Sequence, residues 1–279
     1  METATKGYNL TIPVNNFILS YDDVGEGSVP ILFLHGYPFD KSMWQGQVEF
    51  LKSSYRLIPC DIRGFGKSRD EESALSIALL ADDLIAFMDK RGIDKVIICG
   101  LSMGGYIALN AMQRFPGRFA ALILCDTQCI ADTAVAKEKR YKTIDEIEVN
   151  GTAGFNEGFI KNVFHKDSLI NKKELVEQLR GVVFSNSKHI IMQGLMALAR
   201  RSETCSALNQ VTIPTLIICG REDGVTPLAQ SEMMHAAIKG SILRVIDQAG
   251  HVSNLEQPGE FNNHLLNFLS ALNNDQVGH

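Results

Sequence analysis

Three residues far apart along this chain would, if folded together, transfer an acyl group. The stretch KVIICGLSMGGYIALNAMQRF at 95–115 runs from a β-rich apolar segment straight into Gly100-Leu101-Ser102-Met103-Gly104 and on into a helical pattern. A serine on so sharp a strand-to-helix bend is held in a strained conformation with its hydroxyl exposed, and flanking glycines lack the side chains that would collide across the bend. Gly105 would let the helix pack close to the strand.

A serine hydroxyl becomes a nucleophile only when a neighbouring base takes its proton. Among seven histidines, His251 lies in QAGHVSNLEQP at 248–258, a loop just past the last apolar run and before a helix. His35 ends the run ILFLH, where a structural hydrogen bond is the expected role. His165, His189, His235, His264 and His279 read as packing or surface residues. Imidazole needs an acceptor on its second nitrogen, to hold the tautomer and to stabilise the imidazolium that forms. Asp223, in TLIICGREDGVTP at 215–227, is best placed for this, on a loop after a buried run and shaped by Gly224 and Pro227. Asp126 is the rival, because it too follows an apolar run; Glu222 is expected to point away. The oxyanion formed on attack needs preorganised N–H donors. The loop HGYPFD at 35–40 would aim the Tyr37 N–H at the same point as the Met103 N–H, with Gly36 permitting the close approach.

Such groups need a scaffold, and the apolar runs supply one. ILFLH at 31–35, YRLIPC at 55–60, KVIICG at 95–100, ALILCD at 121–126, TLIICG at 215–220 and ILRVI at 242–246 are short and continuous, as suits parallel strands buried on both faces. Helical patterns lie between most of them, at 76–91, 103–115 and 228–238, with another at 259–271. Strand and helix therefore alternate, which calls for a mostly parallel central sheet with helices on both faces. Residues 8–22 read as a hairpin around Asn15-Asn16, an antiparallel edge. From 130 to 206 there is no strand-like run, only amphipathic helices such as 172–183 and 188–199, the latter with Ile190, Ile191, Leu195 and Leu198. The expected organisation is a core of residues 1–129 and 207–279 with a helical cap, 130–206, inserted in it.

Composition excludes other classes. A chain of 279 residues, 45% hydrophobic, buries enough apolar surface to need no disulfide or metal. The net charge of −5 spreads over interspersed acids and bases, with no basic patch for nucleic acid. The N-terminal residues lack the pattern of a signal peptide, and no apolar stretch is long enough to span a membrane, so the expectation is a soluble cytoplasmic protein. Cys60, Cys99, Cys125 and Cys219 read as reduced core residues, and Cys125 with Cys129 has no partner pair for zinc. No cofactor or metal is expected, and the oligomeric state is not legible.

The ordered motifs HGYP, DIRGFGKS at 61–68, GLSMGG, GREDGVTP and GHVSNLEQP resemble those of the α/β-hydrolase superfamily, from about residue 30 to 272. The order serine, acid, histidine is the one found there. Within it, the similarity is to the enol-lactonase, arylesterase and cofactor-free haloperoxidase group. The resemblance implies an α/β-hydrolase fold, a structural role for Arg63 and Gly64, and hydrolysis of a small ester or lactone through an acyl-enzyme on Ser102. Tyr37-Pro38 resembles the perhydrolase-leaning members more than the enol-lactonases. Haloalkane dehalogenases and epoxide hydrolases carry aspartate where this chain has Ser102. Acyl transfer to peroxide, C–C bond hydrolysis and a non-catalytic small-molecule receptor remain the alternatives. A small to medium apolar pocket is expected, lined by Phe39, Trp44, Met103, Val225 and Val252.

Overall fold

The computed structural model describes residues 6–277; His279 and the first five residues lie outside them. Eight strands form one sheet: β1 Gly7–Val14, β2 Phe17–Asp23, β3 Ile31–Leu34, β4 Leu57–Cys60, β5 Val96–Leu101, β6 Phe119–Cys125, β7 Thr215–Gly220 and β8 Ile242–Ile246. Their spatial order is β1-β2-β4-β3-β5-β6-β7-β8. The six strands from β3 onward are parallel to one another, whereas β1 and β2 form an antiparallel hairpin across Asn15 and Asn16 at one edge, and β2 pairs antiparallel with β4. Asn15 takes the turn at φ +48°, a left-handed conformation that asparagine tolerates.

β3, β4, β5 and β7 are buried along their whole length, which is why their sequences carry no charged residue and are mostly Ile, Leu, Val, Phe and Cys. Successive side chains serve opposite faces: Leu32, Leu34 and Ile98 join one apolar cluster, while Ile31, Phe33, Ile97 and Cys99 join the other. Helices α1, Gln45–Leu51, α2, Ile77–Lys90, and α3, Met103–Arg114, flank the sheet, α2 and α3 on the first cluster and α1 on the second. The Ser76 side chain caps α2 by accepting from the Leu79 N–H at 3.1 Å, and Gly92, at φ +62°, ends it.

Between β6 and β7 five helices run without a strand: α4 Ala134–Asn150, α5 Ala153–Val163, α6 Lys166–Asn171, α7 Lys173–Phe184 and α8 Lys188–Arg200. Then α9, Leu228–Ala237, precedes β8, and α10, Ser253–Glu256, and α11, Pro258–Val277, close the chain. Arg63 is fully buried, its guanidinium paired with Asp83 at 2.6 Å and Asp70 at 2.7 Å and stacked on Phe17, so it pins the β4 loop to α2 and the hairpin.

One expectation needs correcting. The chain does carry a staple, a disulfide between Cys129 and Cys205, 76 residues apart, at the two ends of the helical insert. Beside it the Thr204 N–H donates to the Cys129 carbonyl at 2.8 Å, and Arg201 pairs with Asp132 at 2.7 Å. Size removes the need for a cross-link in the core, but the insert leaves and re-enters the sheet through one narrow neck, where the two chains meet. Cys60, Cys99, Cys125 and Cys219 are free and buried. Among the described residues no helix is long and apolar enough to cross a membrane.

Candidate active site

The bend at Ser102 is as sharp as its sequence implies. Its φ of +53° and ψ of −114° place a non-glycine residue in a conformation that persists only where the surroundings enforce it. Enforcement comes from β6: the Ser102 N–H donates to the Cys125 carbonyl at 3.0 Å, and the Thr127 hydroxyl donates to the Ser102 carbonyl at 2.8 Å. A Cβ on Gly100 would sit 2.3 Å from the Gly104 carbonyl oxygen, and one on Gly104 would sit 2.3 Å from that of Leu34. Gly100 thus permits the bend itself, and Gly104 permits α3 to approach β3.

The ring of His251 lies between Ser102 and Asp223. Its Nε2 is 2.8 Å from Ser102 Oγ, and its Nδ1 is 2.8 Å from Asp223 Oδ2. With the Nδ1 proton donated to the carboxylate, Nε2 is left to accept the serine proton. Asp223 is itself fixed: Oδ1 accepts from the N–H groups of Val225 at 2.7 Å and Thr226 at 2.9 Å, and Oδ2 accepts from the Thr226 hydroxyl at 2.6 Å. All three side chains are nearly enclosed, Ser102 being the most exposed at 7%. Asp126, the rival acid, does not meet the ring; its oxygens accept from Gly220 and Ser253 instead.

Burial works against ionising either His251 or Asp223, but their mutual attraction outweighs it. His251 is held above the ordinary imidazole value and Asp223 below the ordinary carboxylate value. Asp126, desolvated and facing the Asp223 charge, is pushed up to about 8.

The HGYP loop lies against the bend, since a Cβ on Gly36 would come 3.2 Å from Ser102 Cβ. The Tyr37–Pro38 peptide is cis. Among the described residues no acceptor pairs with the Tyr37 or Met103 amide, the latter heading α3. The Tyr37 side chain turns into the insert, where its hydroxyl donates to the Ile191 carbonyl at 2.8 Å.

A cavity of about 890 Å³ opens over Ser102 and His251. Tyr37, Tyr106, Phe155, Phe159, Leu195 and Leu198 form an apolar wall, and α4 contributes a polar one with Lys139, Arg140, Thr143, Glu146 and Asn150. The cavity is therefore larger and more polar than expected. Of the expected lining, Val225 faces it, but Phe39, Trp44, Met103 and Val252 are buried in the core. Phe39 backs Phe159 and Trp44 packs on Phe33 and Phe261. Met103 and Val252, next to Ser102 and His251, turn their side chains into the core, and Phe39 and Trp44 pack behind the cavity wall and against the sheet.

Two residues missed in the sequence hold the His251 loop. The His251 N–H donates to the Val163 carbonyl at 2.8 Å, and Glu256, fully buried, accepts from the N–H groups of Gly250 at 2.6 Å and His165 at 2.8 Å. A glutamate five residues after a catalytic-type histidine, ahead of a proline, was the only available signal. Among the described residues no group of three or more His, Cys, Asp or Glu side chains could hold a metal.

A 3-oxoadipate enol-lactonase of Acinetobacter baylyi is 30% identical over 90% of this chain and 93% of its own. A putative non-heme chloroperoxidase of Synechocystis is 26% identical over 89% and 94%. The structure of a thermophilic esterase from Thermogutta terrifontis superposes with a TM-score of 0.89 at 30% identity, covering 94% of this chain and 98% of that one. With residues 29–258 matching the family model for the α/β-hydrolase fold, on a sheet and site of this design, the chain belongs to the α/β-hydrolase family.

Proposed function

We propose that the protein is a serine hydrolase that cleaves a carboxylic ester or lactone of a small molecule through an acyl-enzyme on Ser102. The observation that carries this reading is the continuous relay from Ser102 Oγ through the His251 ring to Asp223, each link 2.8 Å long. Ser102 attacks the carbonyl carbon as His251 Nε2 takes its proton, and the Tyr37 and Met103 amides receive the oxyanion. The imidazolium then protonates the leaving oxygen, and the acyl group stays on Ser102. Water, deprotonated by the same ring, attacks in turn and releases the acid. Asp223 remains ionised throughout and stabilises each imidazolium. The names of the relatives, an enol-lactonase and an esterase, support an ester or lactone carbonyl and water as acceptor.

The insert at 130–206 acts as a cap over the cavity. Its two-sided lining favours a substrate with an apolar body against Phe155, Phe159 and Leu195 and a polar group toward α4. The Cys129–Cys205 bridge argues for an oxidising compartment. Thiol counting on protein isolated under alkylating conditions tests it.

The test is a screen of short p-nitrophenyl esters and lactones with the intact protein and with Ser102→Ala, beside labelling by a fluorophosphonate. Catalytic turnover and a label on Ser102, both lost in the variant, are expected. One equivalent of nitrophenol released without turnover would overturn the hydrolase reading in favour of a receptor.

A further inference from the structure

A buried carboxyl group at the centre of the site has no part in this relay. Asp126 follows β6, is completely enclosed, and has φ at +43°, a left-handed conformation that costs a non-glycine residue energy. Its Oδ1 accepts from the N–H of Gly220 at 2.7 Å, at the head of the Asp223 loop. Its Oδ2 accepts from the Ser253 hydroxyl at 2.6 Å and the Ser253 N–H at 3.3 Å, on the far side of His251. Its own N–H donates to Ile218 of β7 at 2.9 Å, and its two sequence neighbours, Cys125 and Thr127, hold the Ser102 backbone. The loops of Asp223 and His251 also touch directly, through Arg221 N–H on Ile246 and Glu222 N–H on Ala249. Those bonds join acid to base; Asp126 joins both to the strand that holds the nucleophile.

We propose that Asp126 is a positioning residue, which sets the acid and histidine loops in register with Ser102 through one carboxyl group. The inference rests on the reading of Ser102, His251 and Asp223 as the reacting groups. Asp223 and His251 face Asp126 from the two loops, and the buried thiols Cys125 and Cys219 lie beside it. Burial and Asp223 favour its neutral form, so near neutrality it acts through hydrogen-bond geometry. Once ionised, its charge makes His251 more basic. In the neutral form the Oδ2 proton is donated to the Ser253 hydroxyl, and asparagine reproduces this: its oxygen can take the Gly220 N–H and its amide can donate to the Ser253 hydroxyl.

Asp126→Ala, Asp126→Asn and Ser253→Ala are compared with the intact protein in ester hydrolysis across the titration range of imidazole and carboxyl groups. Thermal midpoints are recorded for each. Misplacing reacting groups by an ångström costs up to about 100-fold, so Asp126→Ala should lose about 10- to 100-fold in kcat with KM within about twofold. Asp126→Asn should recover most of that loss and erase the rate change that accompanies Asp126 ionisation. Ser253→Ala, which keeps the carboxyl group and removes one donor, should fall between. Full kcat in a folded Asp126→Ala would overturn the proposal, as would Asp126→Asn no better than alanine. If the alanine variant does not fold, unchanged kcat and pH profile in both Asp126→Asn and Ser253→Ala overturn it. A Ser102→Ala protein that still turns over would overturn the hydrolase reading and this inference together; an inactive one beside wild-type Asp126 variants would overturn this inference alone.

Discussion

The strand-end loops and the helical insert meet at one cavity but are built on opposite terms. In the loops, Ser102, Asp126, Asp223 and His251 are all buried, and each polar group has its place dictated by short bonds to backbone and neighbouring side chains. In the insert, α4 buries only Ile144 and Ile147 along its whole length, and its cavity-facing Lys139, Glu146 and Asn150 are exposed. A preorganised site needs dry, fully bonded groups, because each charge must already be where the transition state requires it. A wall that selects among substrates needs only shape and a few polar contacts, which helices on a narrow neck can vary without disturbing the sheet. On the proposed function, the chemistry would belong to the loops and the choice of substrate to the insert.

The sharpest way to break that division is to strike the loops. Ser102→Ala and His251→Ala should each lower kcat by about 10⁴-fold or more, since members of such a unit fail together. Steady-state hydrolysis of a p-nitrophenyl ester measures it, and substantial activity in either variant would return the chemistry to some other group.

Asp223→Asn comes next, with an expected loss of about 10² to 10⁴-fold and a change in pH dependence. The base works only when neutral, so activity should rise as pH climbs through the His251 pKa. In the intact protein that rise falls above the ordinary imidazole range, because the carboxylate outweighs burial. Without that carboxylate, burial is opposed only by the weaker pull of Asp126 and Glu256, and the midpoint should move down. An unmoved acid limb in kcat/KM would show that Asp223 does not charge-pair with the base.

A smaller effect is expected at the neck between the two regions. Cys129→Ser opens a loop of 76 residues and should cost about 2–4 kcal/mol, seen as a lower thermal midpoint, with kcat little changed in the protein that remains folded. A large fall in kcat with an unchanged midpoint would mean that the neck shapes the reacting groups.

The smallest change is expected from the wall of the insert. Leu195→Ala removes apolar contact from the cavity and should raise KM for a bulky ester by about 3- to 10-fold while kcat stays near its original value. Comparable losses in kcat would place Leu195 with the loops in function.

Much of this was readable before folding. The sheet was legible because a strand buried on both faces must be nearly apolar throughout, and Ile31–Leu34, Val96–Leu101 and Thr215–Gly220 are. The bend was legible because a strained serine between strand and helix demands glycine on either side. The cavity lining was not, apart from Val225. Phe155 and Phe159 project from α5 and Leu195 from α8, and nothing local says which face of an amphipathic helix meets the core and which meets a cavity.

The sequence alone determined the element order, the serine on its bend and the histidine on the last strand loop, since each follows from sterics and burial acting within a few residues. It left two aspartates, each after an apolar run. Only the tertiary structure sets their places apart, because those depend on which carboxyl group a ring 28 residues beyond Asp223 can reach: Asp223 lies 2.8 Å from Nδ1, and Asp126 bonds to Gly220 and Ser253 in the neighbouring loops. The bridge at Cys129 and Cys205 was decided the same way, by the proximity of two chain segments that no local pattern joins.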